Sequence, residues 1–144
     1  MKKIMIAITA VVIAAASQAA TVRWTMSQVQ ASDGSGAASG YLAMVFDAAT
    51  AQSDVIAAVM AKDSSTLATL ANDWNQTTTS NTSGLLSSAG NGSYAASETF
   101  SVYLVVFDAG SVADANNYFV SETKSGSINA AGSNATLAFG TFAS

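Results

Sequence analysis

The sequence predicts a mainly β protein: an antiparallel, sandwich-like arrangement of sheets with a short amphipathic helical insertion, at about residues 50–74, packed on one face. Three observations predict it. Residues 21–31 alternate, with Val22, Trp24 and Met26 on one side and Thr21, Arg23, Thr25 and Ser27 on the other, the period-two mark of a half-buried strand. Residues 41–47 and 100–108 are apolar on both sides of any such alternation, as a strand covered on both faces must be. Between them the period changes to three and four, which describes one face of an α-helix.

The two apolar strands echo each other. Met44-Val45-Phe46-Asp47-Ala48 is matched by Val105-Val106-Phe107-Asp108-Ala109, and a Tyr-Leu pair precedes each copy, Tyr41-Leu42 and Tyr103-Leu104. Both copies read as buried strands that stop at their Asp.

Taken in order, the chain opens with a signal-peptide pattern. Lys2 and Lys3 precede an apolar run over residues 4–16, and Ser17-Gln18-Ala19 is a small-x-small cleavage site. The expectation is a secretory signal at 1–19 of the short, Lys-led bacterial kind and a single β-rich domain at 20–144. The run is shorter than the ~20 apolar residues that span a bilayer. The protein is therefore expected to be secreted, periplasmic or on the cell surface, with no membrane association after cleavage.

The first strand, with Trp24 as a core anchor, leads into a loop over 32–40 that holds three Gly and three Ser, the residues a permissive backbone needs. Residues 41–47 form the second strand. In the insertion, Val55, Ile56, Val59 and Met60 share one helical face, and Leu67, Leu70, Ala71 and Trp74 share another. Thr50 or Ser53 is expected to cap the first helix and Ser64 or Ser65 the second. Met60 and Trp74 pattern as core. Residues 75–83 are polar throughout and read as a mobile surface loop. The stretch 94–108 reads as the central strand with a break near Ala96-Ser97. A helical turn is expected at 111–117, a strand from Tyr118, turns at 125–127 and 131–134, and a last strand over 135–142 with Leu137 and Phe139 facing one way.

Composition removes several chemistries. The 144 residues contain no Cys and no His. A Ser-His-Asp triad and the usual zinc and copper ligands are therefore missing. No phosphate-binding Gly-rich loop opens a helix. Without residues 1–19, three basic residues (Arg23, Lys62, Lys124) stand against nine acidic ones, a net charge of −6. That balance opposes nucleic acid and anionic lipid as partners. Only 10% of residues are charged, and the polarity comes from Ser, Thr, Asn and Gln. Such a weakly repulsive surface suits close packing with copies of itself or with sugars. No cofactor is implied.

Three functions follow as expectations. The first is an exported non-enzymatic protein acting by self-association, with the edge strands at 21–31 or 135–142 pairing between copies. The second is a small carbohydrate-binding module using Tyr94, Tyr118 or Trp74. The third is a glycoside hydrolase with Asp47 and Asp108 as its paired carboxylates, if equivalent strand ends lie side by side. The same two Asp residues are the calcium candidates, although an Asp at a strand end more commonly starts a turn.

Overall fold

The computed structural model describes residues 20–31, 36–74, 77–87, 91–95, 97–129 and 134–142, with backbone alone at 73, 91–93 and 142. The predicted signal peptide lies outside the described residues, as do residues 32–35, 75–76 and 131–133 of the predicted loops and turns. The elements run β1 (Ala20–Val29), β2 (Leu42–Asp47), α1 (Gln52–Met60), α2 (Ser64–Ala71), a 3-10 turn (Asn72–Trp74), β3 (Thr78–Thr79) and β4 (Leu86–Ser87). They continue with β5 (Asn91–Tyr94), β6 (Thr99–Phe107), β7 (Tyr118–Val120), β8 (Lys124–Ser127) and β9 (Ala135–Phe142).

Three layers result. In the first sheet β1 is central, with β9 on one side and β4 and β5 on the other. In the second, β2 and β6 are central, β3 flanks β2, and β7 and β8 share the far side of β6. Ala20, Val22, Trp24 and Met26 point from β1 into an inter-sheet core, where Leu137 and Phe139 from β9 meet Val45, Val102, Leu104 and Val106. The opposite face of the second sheet carries Met44, Phe46, Tyr103, Val105 and Phe107, which the helices cover with Val55, Ala58, Val59, Leu67 and Ala71. The two-sided apolar pattern of β2 and β6 thus has its cause: these strands separate two cores, one against a sheet and one against helices.

The repeated motif makes the centre of the second sheet. β2 and β6 run antiparallel with Met44 opposite Val105, Val45 opposite Leu104 and Phe46 opposite Tyr103. The two copies are therefore related by a local two-fold through the Met44–Val105 pair. That operation preserves the face of the sheet: Val45 and Val106 both enter the inter-sheet core, and Phe46 and Phe107 both lie under the helices. The Phe46 and Tyr103 rings stack with centroids 5.7 Å apart.

The mainly β, sandwich-like arrangement with a helical insertion on one face is the one the sequence predicts, and within its antiparallel-rich sheets one pair, β1 with β9, is parallel. Several finer expectations are corrected. β1 is not an edge strand, so only β9 of the two proposed edges is open on one side among the described residues. The polar stretch after the 3-10 turn is tied down: β3 pairs with β2, and buried Ser80 donates to the Ala38 carbonyl at 2.7 Å while accepting from the Tyr41 N–H at 3.0 Å. Residues 125–127 are not a turn but part of β8, with Gly126 opposite Phe100. The expected helical turn at 111–117 is a single turn at 112–114 between two bends, with no helix, and it is braced by Ser111, whose hydroxyl donates to Asp114 at 2.6 Å. No side chain caps α1, which starts after Ala51, and α2 is capped by Asp63 rather than by Ser64 or Ser65. Met60, placed in the core by its spacing, is 75% exposed, because α1 ends there and turns away through Ala61 and Lys62.

Candidate functional site

The sequence candidates separate into three places. Trp74 is only 3% exposed and belongs to the inter-sheet core. The 3-10 turn carries it from the helical layer to the end of the sandwich, where it meets Tyr94 at 5.8 Å and Phe100 at 6.4 Å between ring centroids. Tyr94 and Phe100 complete the triangle at 5.5 Å. Tyr94 is half-buried against that core. This cluster closes one end of the sandwich, and its rings spend their faces on one another.

Asp47 and Asp108 do not come together. The strands that end in them are antiparallel, and Asp47 sits opposite Val102. The two carboxylates therefore lie at opposite ends of the sheet, six ladder positions or about 20 Å apart, far beyond the ~5–10 Å that glycoside hydrolysis uses. Asp47 Oδ1 accepts from the Ala49 N–H at 2.7 Å and shapes the turn before α1. With Asp54, it also faces the buried Tyr103 phenol, which donates to the Thr50 carbonyl at 3.1 Å. Burial first, and then these two carboxylates, push the Tyr103 hydroxyl up to about 12. Among the described residues, no three Asp, Glu, His or Cys side chains gather as a metal site would require.

Asp108 has a different neighbourhood. Its Oδ1 accepts from the Asn116 N–H and its Oδ2 from the Asn117 amide Nδ2, both at 2.8 Å. Its own N–H donates to the Asn117 carbonyl at 3.1 Å. Partial burial works against the charged carboxylate and is the largest single effect. The bonds from Asn117 and Asn116 together outweigh it and hold the carboxyl below its usual range. The strand-ending Asp thus closes the 108–117 loop.

That loop makes one wall of a cleft of about 200 Å³. The other wall is the end of α1, where Lys62 adopts a left-handed backbone with φ 54° and its Nζ donates to the Ala113 carbonyl at 2.9 Å. Val59, Phe107, Val112 and Ala115 give the cleft an apolar floor. Met60 and Tyr118 stand above it, 75% and 40% exposed, with Asn116 and Asn117 at the rim. Of the three sequence candidates for ligand contact, Tyr118 is the one on an open cleft. Its position beside a polar turn signalled that exposure. Met60, Lys62 and the Asn pair carried no signal, because the cleft joins segments more than forty residues apart in the chain.

A second cleft, about 360 Å³, opens between the two sheets, where Phe119, Glu122 and Lys124 face Phe139 and Thr141 of β9. No helix among the described residues is long and apolar enough to cross a membrane. No protein-family model matches the chain, and neither a curated protein nor a solved structure was found to match it.

Proposed function

We propose that this is an exported, non-enzymatic protein that acts by associating with copies of itself through the edge of β9 that is unpaired among the described residues. The observation that carries the reading is the chemistry of that edge. β9 is an eight-residue strand, Ala-Thr-Leu-Ala-Phe-Gly-Thr-Phe, paired on one side with β1 and uninterrupted by a bulge. It contains no charged residue and no proline. Edge strands that avoid pairing with other chains commonly carry a Lys, a Pro or a bulge, and β9 has none of these. Arg23 is the one charged residue in the strands of its sheet. Two copies therefore approach edge to edge with little local repulsion, even though the chain is acidic overall. Antiparallel β9–β9 pairing closes a two-fold dimer, whereas β9 meeting the β4–β5 edge propagates a filament.

The test is sedimentation of the protein purified after export from full-length expression, over a concentration series. Self-association predicts dimers or polymers that grow with concentration. Ala138→Lys combined with Gly140→Lys sets like charges against each other across the paired edges. Both positions are exposed, and a Cβ added at Gly140 meets nothing within 4 Å, so the fold is retained and the variant runs as a monomer. A wild-type protein that stays monomeric at millimolar concentration overturns the reading. So does a double variant that assembles unchanged.

A further inference from the structure

Three large hydrophobic side chains stand exposed among the described residues, Met60, Leu85 and Tyr118. Two of them, from a helix end and a strand more than fifty residues later, converge on the same cleft. Exposed apolar groups that converge over a formed cavity mark a ligand site more strongly than single ones scattered on a surface. We infer that the cleft between Met60 and Tyr118 binds one pyranose ring of a neutral saccharide.

The chemistry of the lining selects that class. The floor of Val59, Phe107, Val112 and Ala115 is apolar and closed, so the ligand needs an apolar face. The rim is polar and uncharged apart from Lys62, so the ligand also needs hydroxyl groups around its edge. A sugar ring has both, with axial C–H bonds on one face and hydroxyls at the perimeter. The phenol ring of Tyr118 offers a flat apolar surface at little entropic cost. The rim groups are already fixed. Asn117 gives its Nδ2 to Asp108, which leaves its amide oxygen as an acceptor for a ligand hydroxyl. Asn116 is held by its backbone N–H, so its side-chain amide remains for a ligand. Lys62 commits one hydrogen to Ala113 and keeps two.

Charge and size narrow the choice further. Asp108 and Asp114 flank the loop, which disfavours an anionic ligand, and Lys62 disfavours a cationic one. Drug-sized ligands occupy pockets of about 300–1,000 Å³, and about 200 Å³ suits a single ring. The site is independent of β9, which belongs to the other sheet.

The test is saturation-transfer NMR on the protein purified after export from full-length expression. The probes are methyl glycosides of glucose, galactose, mannose and N-acetylglucosamine at millimolar concentration. The inference expects transfer to the ring C–H protons of at least one glycoside. Tyr118→Ala raises the dissociation constant about tenfold, equivalent to 1.4 kcal/mol, and Tyr118→Phe changes it less than about twofold. Asn116→Ala leaves the backbone bond to Asp108 in place and weakens binding a few-fold. Met60→Ala also weakens binding, at a position too exposed to unfold the protein. Absence of transfer from every glycoside overturns the inference. Transfer that survives Tyr118→Ala and Met60→Ala at wild-type strength also overturns it, since the sugar is then held elsewhere.

Discussion

Ser121→Ala separates a hydrogen bond inside the second sheet from one on its surface. β6 is paired by β8 over Thr99–Val102 and by β7 over Val105–Phe107, and Leu104 falls in the gap between the two ladders. Ser121 fills that gap. Its backbone N–H donates to the Leu104 carbonyl at 2.9 Å, and its hydroxyl accepts from the Leu104 N–H at 2.8 Å while donating to the Glu122 carbonyl at 2.8 Å. Both Ser121 and Leu104 are buried. Alanine leaves the Leu104 N–H without an acceptor where water does not reach, and an orphaned buried donor costs about 1–3 kcal/mol. The Glu122 carbonyl belongs to an exposed residue and recovers its bond from water. The expected cost is about 2 kcal/mol, a fall in melting temperature of about 6–10 °C for a domain of this size. Ser125→Ala is the comparison. The Ser101–Ser125 hydroxyl pair is shorter, at 2.6 Å, but exposed, so its loss costs less than about 0.5 kcal/mol. Thermal unfolding by circular dichroism reads both, and hydrogen exchange at the Leu104 amide accelerates in the first variant alone. Equal costs for the two variants would refute the argument that burial, and not bond length, sets the value.

Other outcomes follow from single residues. Gly84→Ala is expected to destabilise by about 1–3 kcal/mol, because φ is +72° there and a Cβ would sit 2.6 Å from the Val29 carbonyl oxygen of β1, a backbone atom that cannot swing aside; Gly140→Ala in open space stays within about 0.5 kcal/mol, and denaturant melts compare the two. Asp63 is held down to about 2 by bonds from Ser65 and Thr66, and Asp108 is also lowered. The folded carboxylates stay ionised where unfolded ones, near a pKa of about 4, take up protons. Their contribution is therefore complete above about pH 4 and lost as pH falls toward 2, and Asp63→Asn, which keeps an acceptor for the helix N–H groups, flattens part of that slope in a melting-temperature series. Intact-mass measurement of the product exported from a bacterial host should show the loss of residues 1–19, and an unprocessed mass would remove the export reading.

What the sequence made legible is what side-chain periodicity encodes. Val22, Trp24 and Met26 announced β1, the unbroken apolar runs announced strands with two covered faces, and Val55, Val59, Leu67 and Ala71 announced the covering helices. Hydrogen bonding was less legible. β3 has no apolar reason to exist and is held by Ser80, whose hydroxyl joins Ala38 and Tyr41 across forty residues. Gly126 resembles a turn residue until the ring of Phe100 is placed over it, so close that a Cβ would lie 2.7 Å from Cζ. The cap of α2 went to Asp63 because one carboxylate serves two N–H groups and two hydroxyls at once, which neither Ser64 nor Ser65 can do. The parallel β1–β9 pair joins the first and last strands, and no local pattern specifies it. Tyr118 was legible as exposed, but its cleft was not, since the floor and rim come from residues 59–62 and 107–118 brought together only by the fold.

The layering makes one last consequence testable. The edge proposed for assembly belongs to the first sheet, and the proposed saccharide cleft lies on the helix-covered side of the second. The inter-sheet core of Trp24, Phe139, Val45 and Leu104 stands between them. Neither ligand contact nor strand pairing touches a residue of the other site. Protein interiors pack densely enough to transmit strain, but the substitutions chosen for each site are exposed and leave that core intact. The two activities should therefore be additive. Tyr118→Ala should leave the concentration dependence of assembly unchanged. The Ala138→Lys, Gly140→Lys monomer should bind a methyl glycoside with the affinity of the assembled protein, within about twofold. An assembled array would then display a saccharide site on every subunit, and its avidity for a polymeric glycan would exceed that of the monomer by about 10²–10⁴. Retention of assembled and monomeric forms on an immobilised polysaccharide measures that ratio. Weaker retention of the assembled form than of the monomer would mean that assembly hides the cleft, which places the interface on the helical layer and not on β9.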